Sequence, residues 1–343
     1  MNAADQKAFA RWWVQHLGPL SEPLRLEVLA GGQSNPTYRV SAGDQHWVLR
    51  SQPPGELLAS AHAVDREYRV MQALAGSGVP VPRMRALCTD RSVIGRAFYV
   101  MDHIDGRVFM DPSLPGMTPA QRGEIYAELQ RVAAAIHRVD PAAVGLQDFG
   151  KPANYRARQL QRWSQQYQAS RTEDLPAMDR LIDWLQRHAP EADASGLVHG
   201  DLRLDNMIFH PHEPRVLAVI DWELSTLGDP EVDFAYHCLA WRLTSQEFRG
   251  MREHDLAALG IPSEAEHLQA WCRLTGREPP PHWGYLLAFN MFRLAAILQG
   301  IRHRALLGNA SAADASSTGA RARLLAQAGW RLAQSLDVAE QMP

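Results

Sequence analysis

The chain has 343 residues, of which 46% are hydrophobic and 21% charged. A chain of this length and composition can bury a substantial core and is long enough for two lobes. Its formal net charge of -3 gives no general attraction to nucleic acid or to an anionic membrane. We therefore expect a small-molecule partner, with neither nucleic acid nor a membrane involved.

The first part of the chain predicts a small β-rich region that follows one helix. Aromatic residues recur at helical spacing between residues 3 and 17, before Gly18 and Pro19, which indicates an amphipathic entry helix. Strand candidates lie at residues 24–29, 37–40, 47–49, 83–88 and 97–101, with a helix over about 61–75. From Pro119 onward the sequence is mainly helical, apart from one hairpin. The predicted fold class is therefore α+β.

Three features of the sequence predict a cytoplasmic protein. The polar N-terminus lacks the apolar stretch of a signal peptide. The late apolar run from Tyr285 to Leu298 is interrupted by Asn290 and Arg293 and falls short of a bilayer span. The cysteines lie far apart, match no zinc spacing and are expected to be buried thiols in a reducing compartment. They are Cys88, Cys238 and Cys272.

The most informative segment runs from residue 197 to residue 221. A short apolar strand candidate and a tight turn precede Asp201, so this residue should emerge on a loop at the edge of a packed core. Asn206 leads into a hairpin over residues 207–220, which folds Asp221 back toward it. Phosphoryl transfer needs one carboxylate to orient a hydroxyl, and further oxygens to hold Mg²⁺ on the ATP phosphates. We predict Asp201 as the catalytic carboxylate and Asn206 and Asp221 as the metal ligands.

Neighbouring polar residues have less specific assignments. Arg203 is predicted to steady the γ-phosphate, with a surface arginine as the alternative. His199 is interpreted as a packed support of the loop rather than a base, and Asp233 as a brace for the loop backbone. Asp205 and Glu223 are further candidates to assist the metal. The alternative for the whole segment is an ordinary loop rich in Asp and Asn, because these residues favour turns.

Several motifs together carry a family resemblance. They are His199-Gly200-Asp201 with Asn206, Ile220-Asp221-Trp222-Glu223 and Gly228-Asp229-Pro230-Glu231-Val232-Asp233-Phe234-Ala235. These motifs resemble the aminoglycoside phosphotransferase and choline kinase-like family, relatives of the protein kinases. Within it, the segments 31–38, 48–50 and 113–117 are most similar to kinase-like domains associated with acyl-CoA dehydrogenases.

The resemblance covers about residues 25–305 and implies a bilobal protein kinase-like fold. Its small β-rich lobe would be residues 1–104 and would bind the nucleotide. The larger, mainly helical lobe would be residues 105–343 and would carry the catalytic loop and the acceptor.

Arg50 departs from the general kinase pattern, in which V-A-I-K ends in lysine. Glu67 follows on the predicted helix, where the partner glutamate belongs, so we predict an Arg50–Glu67 pair. An arginine can clamp phosphate oxygens bidentately, although its planar fork differs from an ammonium. The alternative is an exposed arginine, which would imply a weakened or inactive enzyme.

Two further nucleotide contacts are implied by the resemblance. Gly32, Gln33, Ser34 and Asn35 lie between two strand candidates, where the backbone can approach phosphates and small polar groups can donate to them. A plain hairpin turn is the alternative. At the end of the last strand candidate, the carbonyl of Asp102 and the amide of Ile104 are predicted to read the adenine edge. The alternative is a connection without nucleotide contact.

The predicted function is an enzyme that transfers the γ-phosphoryl group of ATP, with GTP as the alternative, to a hydroxyl of a small metabolite with Mg²⁺. The resemblance to dehydrogenase-associated kinases implies a hydroxylated fatty acid or hydroxyacyl-CoA, and a functional link to an acyl-CoA dehydrogenase. A nucleotide-binding pseudokinase or scaffold, an aminoglycoside- or choline-type kinase and a protein kinase are the alternatives.

The acceptor is expected against helices of the second part, at about residues 154–167, 234–243 and 283–298. The first of these carries aromatic residues and arginines, namely Tyr155, Arg156, Arg158, Arg162, Trp163 and Tyr167. Such arginines would suit an anionic acceptor. The alternative is that the aromatic residues belong to the core and the arginines are solvated.

Overall fold

The computed structural model describes residues 1–29, 35–53, 63–151, 153–191, 193–307 and 315–340. The chain divides into two compact units. The first consists of Met1–Arg107 and Met207–Ser225, and the second of Val108–Asn206 and Thr226–Pro343. This division differs from the predicted lobes 1–104 and 105–343, because residues 207–225 belong to the first unit.

The first unit is built on one antiparallel sheet. Its strands are β1 (Arg25–Val28), β2 (Thr37–Ala42), β3 (Gln45–Ser51), β4 (Met84–Cys88) and β5 (Phe98–Asp102), and its helices are α1 (Ala3–Leu17) and α2 (Val64–Leu74). The strand order is β1-β2-β3-β5-β4. Alternate residues of β2 are buried, as in a strand with one face on the core, whereas β5 is buried along most of its length.

Helix α1 packs on this sheet through aromatic side chains. Phe9 and Trp12 are almost fully buried, and the ring of Trp12 meets that of Phe98 edge-on at a centroid distance of 4.8 Å. At the start of the helix the Asn2 side chain accepts from the Asp5 amide at 2.8 Å. The Asp5 carboxylate accepts from the Asn2 amide in return, which completes a capping box. The amphipathic entry helix predicted from the sequence is confirmed.

A hairpin from later in the chain completes the first unit. Its strands are β7 (Met207–Phe209) and β8 (Val216–Val219). Arg107 and Phe209 exchange backbone hydrogen bonds of 2.8 Å in both directions, and the Val219 amide donates to the Pro80 carbonyl at 2.8 Å. Gly106 permits this approach, because a Cβ there would lie 2.3 Å from the Phe209 carbonyl oxygen. Long-range backbone pairing therefore assigns the hairpin to this unit.

The second unit is mainly helical. Its helices are α3 (Pro119–His137), α4 (Tyr155–Ala169), α5 (Pro176–Arg187), α6 (Pro230–His237), α7 (Leu239–Arg242), α8 (Ser245–Phe248), α9 (Leu256–Leu259), α10 (Glu264–Thr275), α11 (Trp283–Leu306), α12 (Ala315–Ala320) and α13 (Ala322–Glu340). Two short strands, β6 (Gly196–Val198) and β9 (Thr226–Gly228), pair antiparallel within it. The α+β class predicted from the sequence is confirmed.

Helix α11 is the central helix of the second unit. Its 24 residues are long and apolar enough to cross a membrane by length and composition alone, but 83% of its most apolar window is buried inside the protein. It packs against α4, α5, α6, α12 and α13. The expectation that this run is too short for a bilayer was wrong, because the helix extends beyond Leu298 to Leu306. Burial, rather than length, identifies α11 as a core helix.

The three cysteines are buried and free, as predicted. Cys88 belongs to the first unit, whereas Cys238 and Cys272 belong to the second. Burial raises the pKa of each thiol. These side chains therefore act as small apolar core residues.

Candidate active site

The predicted catalytic loop begins where β6 ends. All three residues of β6 are buried, and pairing with β9 fixes the strand. Gly200 follows with a φ of 85°, a left-handed conformation that glycine adopts without a steric penalty. This tight turn places Asp201 on the loop with its side chain 19% exposed.

Asp233, on α6, braces the loop backbone as predicted. Its carboxylate accepts from the amides of His199 at 2.7 Å and Gly200 at 2.8 Å. His137 Nε2 lies 3.1 Å from the same carboxylate, and Trp271 Nε1 lies 2.9 Å from His137 Nδ1. Because an indole N–H can only donate, His137 Nδ1 accepts and Nε2 carries the proton that faces Asp233. Burial alone would raise the pKa of Asp233, but the hydrogen bond from His137 and its other contacts lower it.

Two more side chains hold the loop in place. His199 is fully buried, and its Nδ1 accepts from the Asp201 amide at 3.2 Å. This contact supports its interpretation as part of the loop's packing rather than as a base. Arg293, on α11, donates to the Gly200 carbonyl and lies 5.2 Å from the ring centre of Tyr236. The loop is therefore fixed from both α6 and α11.

The Asp201 carboxylate is surrounded by donors. Arg203 Nη2 lies 3.1 Å and Asn206 Nδ2 3.0 Å from its Oδ2, and the Tyr236 hydroxyl also donates to it. Burial alone would raise the pKa of Asp201, but Arg203, Tyr236, His199 and Asn206 lower it below its usual value. Asp201 is therefore ionised at neutral pH. Such a carboxylate can orient a hydroxyl and accept its proton late in a transfer.

Asn206 is the last residue of a 3₁₀ turn, Leu204–Asn206. The hydrogen bonds of its side-chain amide fix which way that amide points. Its Nδ2 donates to the backbone carbonyl of Asp201 at 2.8 Å and to the Asp201 carboxylate at 3.0 Å. Because the two ends of a planar amide point apart, Oδ1 is turned away from Asp201. That oxygen is the atom a hard cation such as Mg²⁺ would take. The side chain thus fits its predicted role.

Arg50 and Glu67 form the predicted ion pair within the first unit. Arg50 Nε lies 2.9 Å from Glu67 Oε2. Glu67 also accepts from Asn35 Nδ2 at 2.8 Å and from the Tyr99 hydroxyl at 3.0 Å. Burial raises the pKa of Glu67, although Arg50 and both hydrogen bonds act in the opposite direction. Asn35, which the sequence predicts at the nucleotide, is fully buried here and orients Glu67.

Asp221 follows β8 and contacts the same arginine. Its Oδ1 lies 2.8 Å from Arg50 Nη2, and Glu223 Oε2 lies 3.7 Å from that nitrogen. The backbone of Asp221 has a φ of 65° and a ψ of 54°, a left-handed conformation that is costly for a residue with a Cβ. Burial alone would lower the pKa of Arg50, but Glu67, Tyr99 and these two carboxylates raise it overall. Arg50 is therefore a permanent cation among three carboxylates.

The remaining predicted nucleotide residues fall into two groups. Gly32, Gln33 and Ser34 lie outside the described residues. Asp102 ends β5, where its carboxylate is bound by Arg85 at 2.5 and 3.1 Å, and Ile104 follows just beyond the strand. Contacts of Asp102 and Ile104 with a nucleotide base stay predictions.

A pocket in the second unit adjoins the catalytic loop. Arg203, Leu204 and Asp205 of the loop line it, together with Tyr236, the residue that donates to Asp201. Most of its wall is apolar and includes Phe109, Met110, Tyr126, Leu239, Phe248 and Leu294. The pocket is partly open to solvent, and its cavity volume is about 50 Å³.

Only some of the helices that were expected to line the acceptor site line this pocket. Residues of α6, α7 and α11 line it, whereas no described residue of α4 does. On α4, Tyr155 and Trp163 are buried core residues, and Arg156 Nε pairs with Asp193 at 2.5 Å. The arginines of α4 therefore give no support for an anionic acceptor. The arginines beside the pocket are instead Arg203 and Arg249.

Some residues of the site were missed by reasoning from the sequence. Tyr236 lies three positions after Asp233 on α6, so helical spacing could have placed both on one face toward the loop. Arg293 was interpreted only as an interruption of an apolar run. Arg249 meets Asp205 across 44 positions, and no local pattern signals that contact.

The Asp201–Asn206 loop in a helical unit and the Arg50–Glu67 pair in an antiparallel-sheet unit define a class of protein, the kinase-like phosphotransferases. The sequence profile described as the APH phosphotransferase enzyme family matches residues 25–274, well over half of the chain. The chain belongs to this phosphotransferase enzyme family, and the resemblance noted in the sequence is confirmed.

The chain is also similar in sequence to part of a protein named as an acyl-CoA dehydrogenase family member. Acyl-CoA dehydrogenase family member 10 of Mus musculus is 46% identical to the chain over 346 residues. The match covers 99% of this chain but 32% of that protein. The chain therefore spans about a third of the length of this relative.

Two solved structures confirm the kinase-like fold. A protein from Ralstonia eutropha JMP134, described provisionally as an aminoglycoside phosphotransferase, is 52% identical with a TM-score of 0.86, covering 96% of this chain and 98% of that one. A thermostable mutant of the aminoglycoside phosphotransferase APH(4)-Ia, in a ternary complex with AMP-PNP and hygromycin B, has a TM-score of 0.60 at 18% identity. It covers 94% of this chain and 99% of its own and shows the shared fold alone.

Proposed function

We propose that the protein transfers the γ-phosphoryl group of ATP, with GTP as the alternative donor, to a hydroxyl of a small metabolite. The observation that carries this proposal is the ionised Asp201 on a braced loop, beside a pocket lined by the same loop. The complex of APH(4)-Ia with AMP-PNP supports a nucleoside triphosphate as the donor.

In this reaction the acceptor oxygen forms a bond to the γ-phosphorus, and the bond from that phosphorus to the β,γ-bridging oxygen breaks. The electron pair of the broken bond leaves with the nucleoside diphosphate. Asp201 orients the acceptor hydroxyl and takes its proton late, because the loose transition state requires little deprotonation beforehand. In this proposal Arg203 steadies charge on the transferred group, and its pairing with Asp201 at 3.1 Å supports that role.

We assign Asn206 Oδ1 and the Asp221 carboxylate as the protein ligands of Mg²⁺. The assignment of Asn206 rests on its contacts within the second unit, and that of Asp221 on its contacts within the first. When bound, Mg²⁺ would neutralise charge on the phosphates. Within the described residues, no three His, Cys, Asp or Glu side chains cluster to hold a metal by themselves. Few protein ligands suit Mg²⁺, which keeps water and phosphate oxygens in its shell.

For the acceptor we propose a hydroxylated fatty acid or hydroxyacyl-CoA. The apolar wall of the pocket supports a hydrocarbon body, and the dehydrogenase name of the mouse relative supports a functional link to an acyl-CoA dehydrogenase. Phosphorylation would convert a poor leaving group into one that a later step can eliminate. This assignment, together with a cytoplasmic location, belongs to the proposal.

A nucleotide-binding pseudokinase is the second candidate, because Arg50 replaces the usual lysine. Two observations weigh against it. Arg50 keeps its pairing with Glu67 at 2.9 Å, and Asp201 and Asn206 are both present in contact with each other. Turnover of ATP that Asp201→Asn does not lower would favour this candidate.

The decisive experiment compares wild type with Asp201→Asn. We expect the substitution to lower kcat for Mg-ATP-dependent phosphate transfer by about 10²- to 10⁴-fold while nucleotide affinity barely changes, because the lost group acts on the acceptor proton. Radiolabelled phosphate incorporation into a panel of hydroxy acids, hydroxyacyl-CoA thioesters, amino sugars and choline provides the readout. Asp140→Asn, at an exposed residue just before a turn, is the control.

Equal turnover by wild type and Asp201→Asn would contradict the catalytic role. Phosphorylation of an amino sugar or choline alone would contradict the acyl acceptor while leaving the phosphotransferase assignment in place.

A further inference from the structure

Arg249 lines the same pocket as the catalytic-loop residues. Its guanidinium pairs with the carboxylate of Asp205, and Arg203 Nη2 lies 3.4 Å from the same Asp205 oxygen. Both guanidinium groups also lie close to the Phe248 ring, at 5.9 Å for Arg203 and 5.8 Å for Arg249. Two cations therefore share one carboxylate at a largely apolar wall.

Two of the three charged residues that line the pocket are cationic. Arg203 and Arg249 contribute two positive charges and Asp205 one negative charge. The ionised Asp201 lies 3.1 Å from Arg203 and offsets its charge, so Arg249 is the cation that shares Asp205 at the wall. The other titratable groups of the wall are neutral at pH 7, because burial lowers the pKa of His237 to about 3 and raises those of the wall tyrosines. A cation beside apolar surface attracts an anion more strongly than it would in water.

Arg249 is the more accessible of the two cations. Arg203 is held between Asp201 at 3.1 Å and Asp205 at 3.4 Å. The Arg249 side chain remains 37% exposed beside Asp205. It can therefore accept a second partner with little rearrangement.

The backbone around Arg249 fixes where its side chain starts. Arg249 adopts a left-handed conformation, with a φ of 42° and a ψ of 39°. At the next position, a Cβ on Gly250 would lie 1.9 Å from the Leu243 carbonyl oxygen, so the loop folds tightly back on the end of α7. A residue held in a costly conformation by its surroundings is a frequent feature of ligand contacts.

We propose that Arg249 binds the anionic group of the acceptor and that Asp205 competes with this anion for the same guanidinium. This inference rests on the proposed function and specifies the acceptor further. The acceptor has its hydroxyl at Asp201, an apolar body along the wall that includes Phe248, and a carboxylate or phosphate at Arg249. Arg249 is then a specificity residue and takes no part in bond making.

Calorimetric binding in the presence of Mg-ADP tests the inference without turnover. The probes are 3-hydroxydecanoate, 3-hydroxydecanoyl-CoA and the uncharged decane-1,3-diol. Arg249→Ala should weaken binding of a charged probe by about 10- to 100-fold, the value of a charge-assisted hydrogen bond, and leave diol binding within about twofold. Asp205→Asn should tighten binding of the same charged probe, because it removes the competing carboxylate.

Comparison of the two charged probes also identifies which anionic group Arg249 binds. An effect on 3-hydroxydecanoate indicates a terminal carboxylate, and an effect on the CoA thioester alone indicates a phosphate. Arg249→Lys retains the charge and should keep part of the affinity, which separates charge from folding. Arg252→Ala is the matched control, because Arg252 follows closely in the chain but pairs with Glu247.

Equal weakening of diol and charged probes by Arg249→Ala, or no binding of either charged probe to wild type, would overturn the inference. Binding that depends on Arg249, combined with no phosphate transfer, would instead overturn the proposed function and leave the anion site in place.

Discussion

Asp229 is the residue whose burial has the clearest consequence for pH dependence. Its Oδ1 accepts from the Glu231 amide at 3.0 Å and caps α6. Its Oδ2 has no hydrogen-bond partner among the described residues and lies 3.6 Å from Arg156 Nε. Burial is the largest influence on this carboxyl group and raises its pKa to about 6, although Arg156 acts in the opposite direction.

A raised pKa in the folded state means that the folded protein binds this proton more tightly than the unfolded chain does. The stability that follows is complete below about pH 4 and is lost as the pH rises through about 6. Asp229→Asn keeps the capping oxygen and removes the charge. Relative to wild type, we expect the variant to gain about 2 kcal/mol in the free energy of unfolding between pH 4 and pH 8, at about 1.36 kcal/mol per pKa unit.

Urea unfolding at the two pH values measures this difference for Asp229→Asn. Asp255→Asn is the control, because Asp255 also caps a helix but is exposed. Because its side chain is not buried, this variant should not reproduce the pH-dependent gain expected for Asp229→Asn. If Asp229→Asn behaves like this control, burial does not govern the Asp229 carboxyl group.

Part of the site was predictable at the level of residues because spacing encodes it. The pairing of Arg50 with Glu67 follows from a strand end and the next helix, and the brace from Asp233 follows from its place at a helix start. Arg249 was not predictable, because only the packing of α8 against the loop brings it to Asp205. The burial of Asn35 was also not predictable. A polar residue after glycines is as consistent with a phosphate contact as with a buried partner of Glu67.

Among the elements, the β7–β8 hairpin depends most visibly on one small residue. A Cβ at Gly106 would lie 2.3 Å from the Phe209 carbonyl oxygen and 2.5 Å from Ile208 Cγ2. Gly106→Ala should therefore separate the Arg107–Phe209 bridge and lower the free energy of unfolding by about 1–3 kcal/mol, as overpacking does. Thermal or urea unfolding measures the change.

Gly123→Ala is the matched control for this substitution. Gly123 lies within α3, where a Cβ would meet only the Gly260 carbonyl oxygen at an ordinary 3.6 Å. Alanine in a helix interior should stabilise the protein by about 0.5–1 kcal/mol. Similar effects of the two substitutions would show that the contact at Phe209 does not limit the hairpin.

The elements themselves were predictable to different degrees. The hairpin follows from apolar runs on either side of a turn, but its pairing with Arg107 and Pro80 depends on contacts more than 100 positions away. Local sequence patterns therefore group residues 207–225 with the helices that follow, whereas the contacts group them with the first unit. Strand β9 was missed because three residues, Thr226–Gly228, carry too little pattern to predict.

For the whole molecule, ligand binding should appear as added stability. A ligand that binds only the folded protein stabilises it by about 2.7 kcal/mol at 100 times its Kd. We expect Mg-ADP to raise the Tm, and we expect a chelator to remove the metal-dependent part of this rise. Asp221→Asn should lose that part, because it removes a predicted ligand of the metal.

Differential scanning calorimetry with ADP, with and without Mg²⁺, measures the total rise in Tm and the part of it that depends on the metal. Asp201→Asn should keep the Mg²⁺-dependent rise, since this residue acts on the acceptor. A Tm rise that is independent of Mg²⁺ in wild type would contradict the assignment of Asp221 to the metal.

The burial of the three cysteines offers natural reporters of fluctuation in each unit. Thiol reagents attack the thiolate, and burial both shields these sulfur atoms and keeps them protonated. Modification of Cys88 therefore records transient opening of the first unit, while that of Cys238 and Cys272 records opening of the second. Timed alkylation and mass spectrometry can thus compare the local dynamics of both units in the unaltered chain.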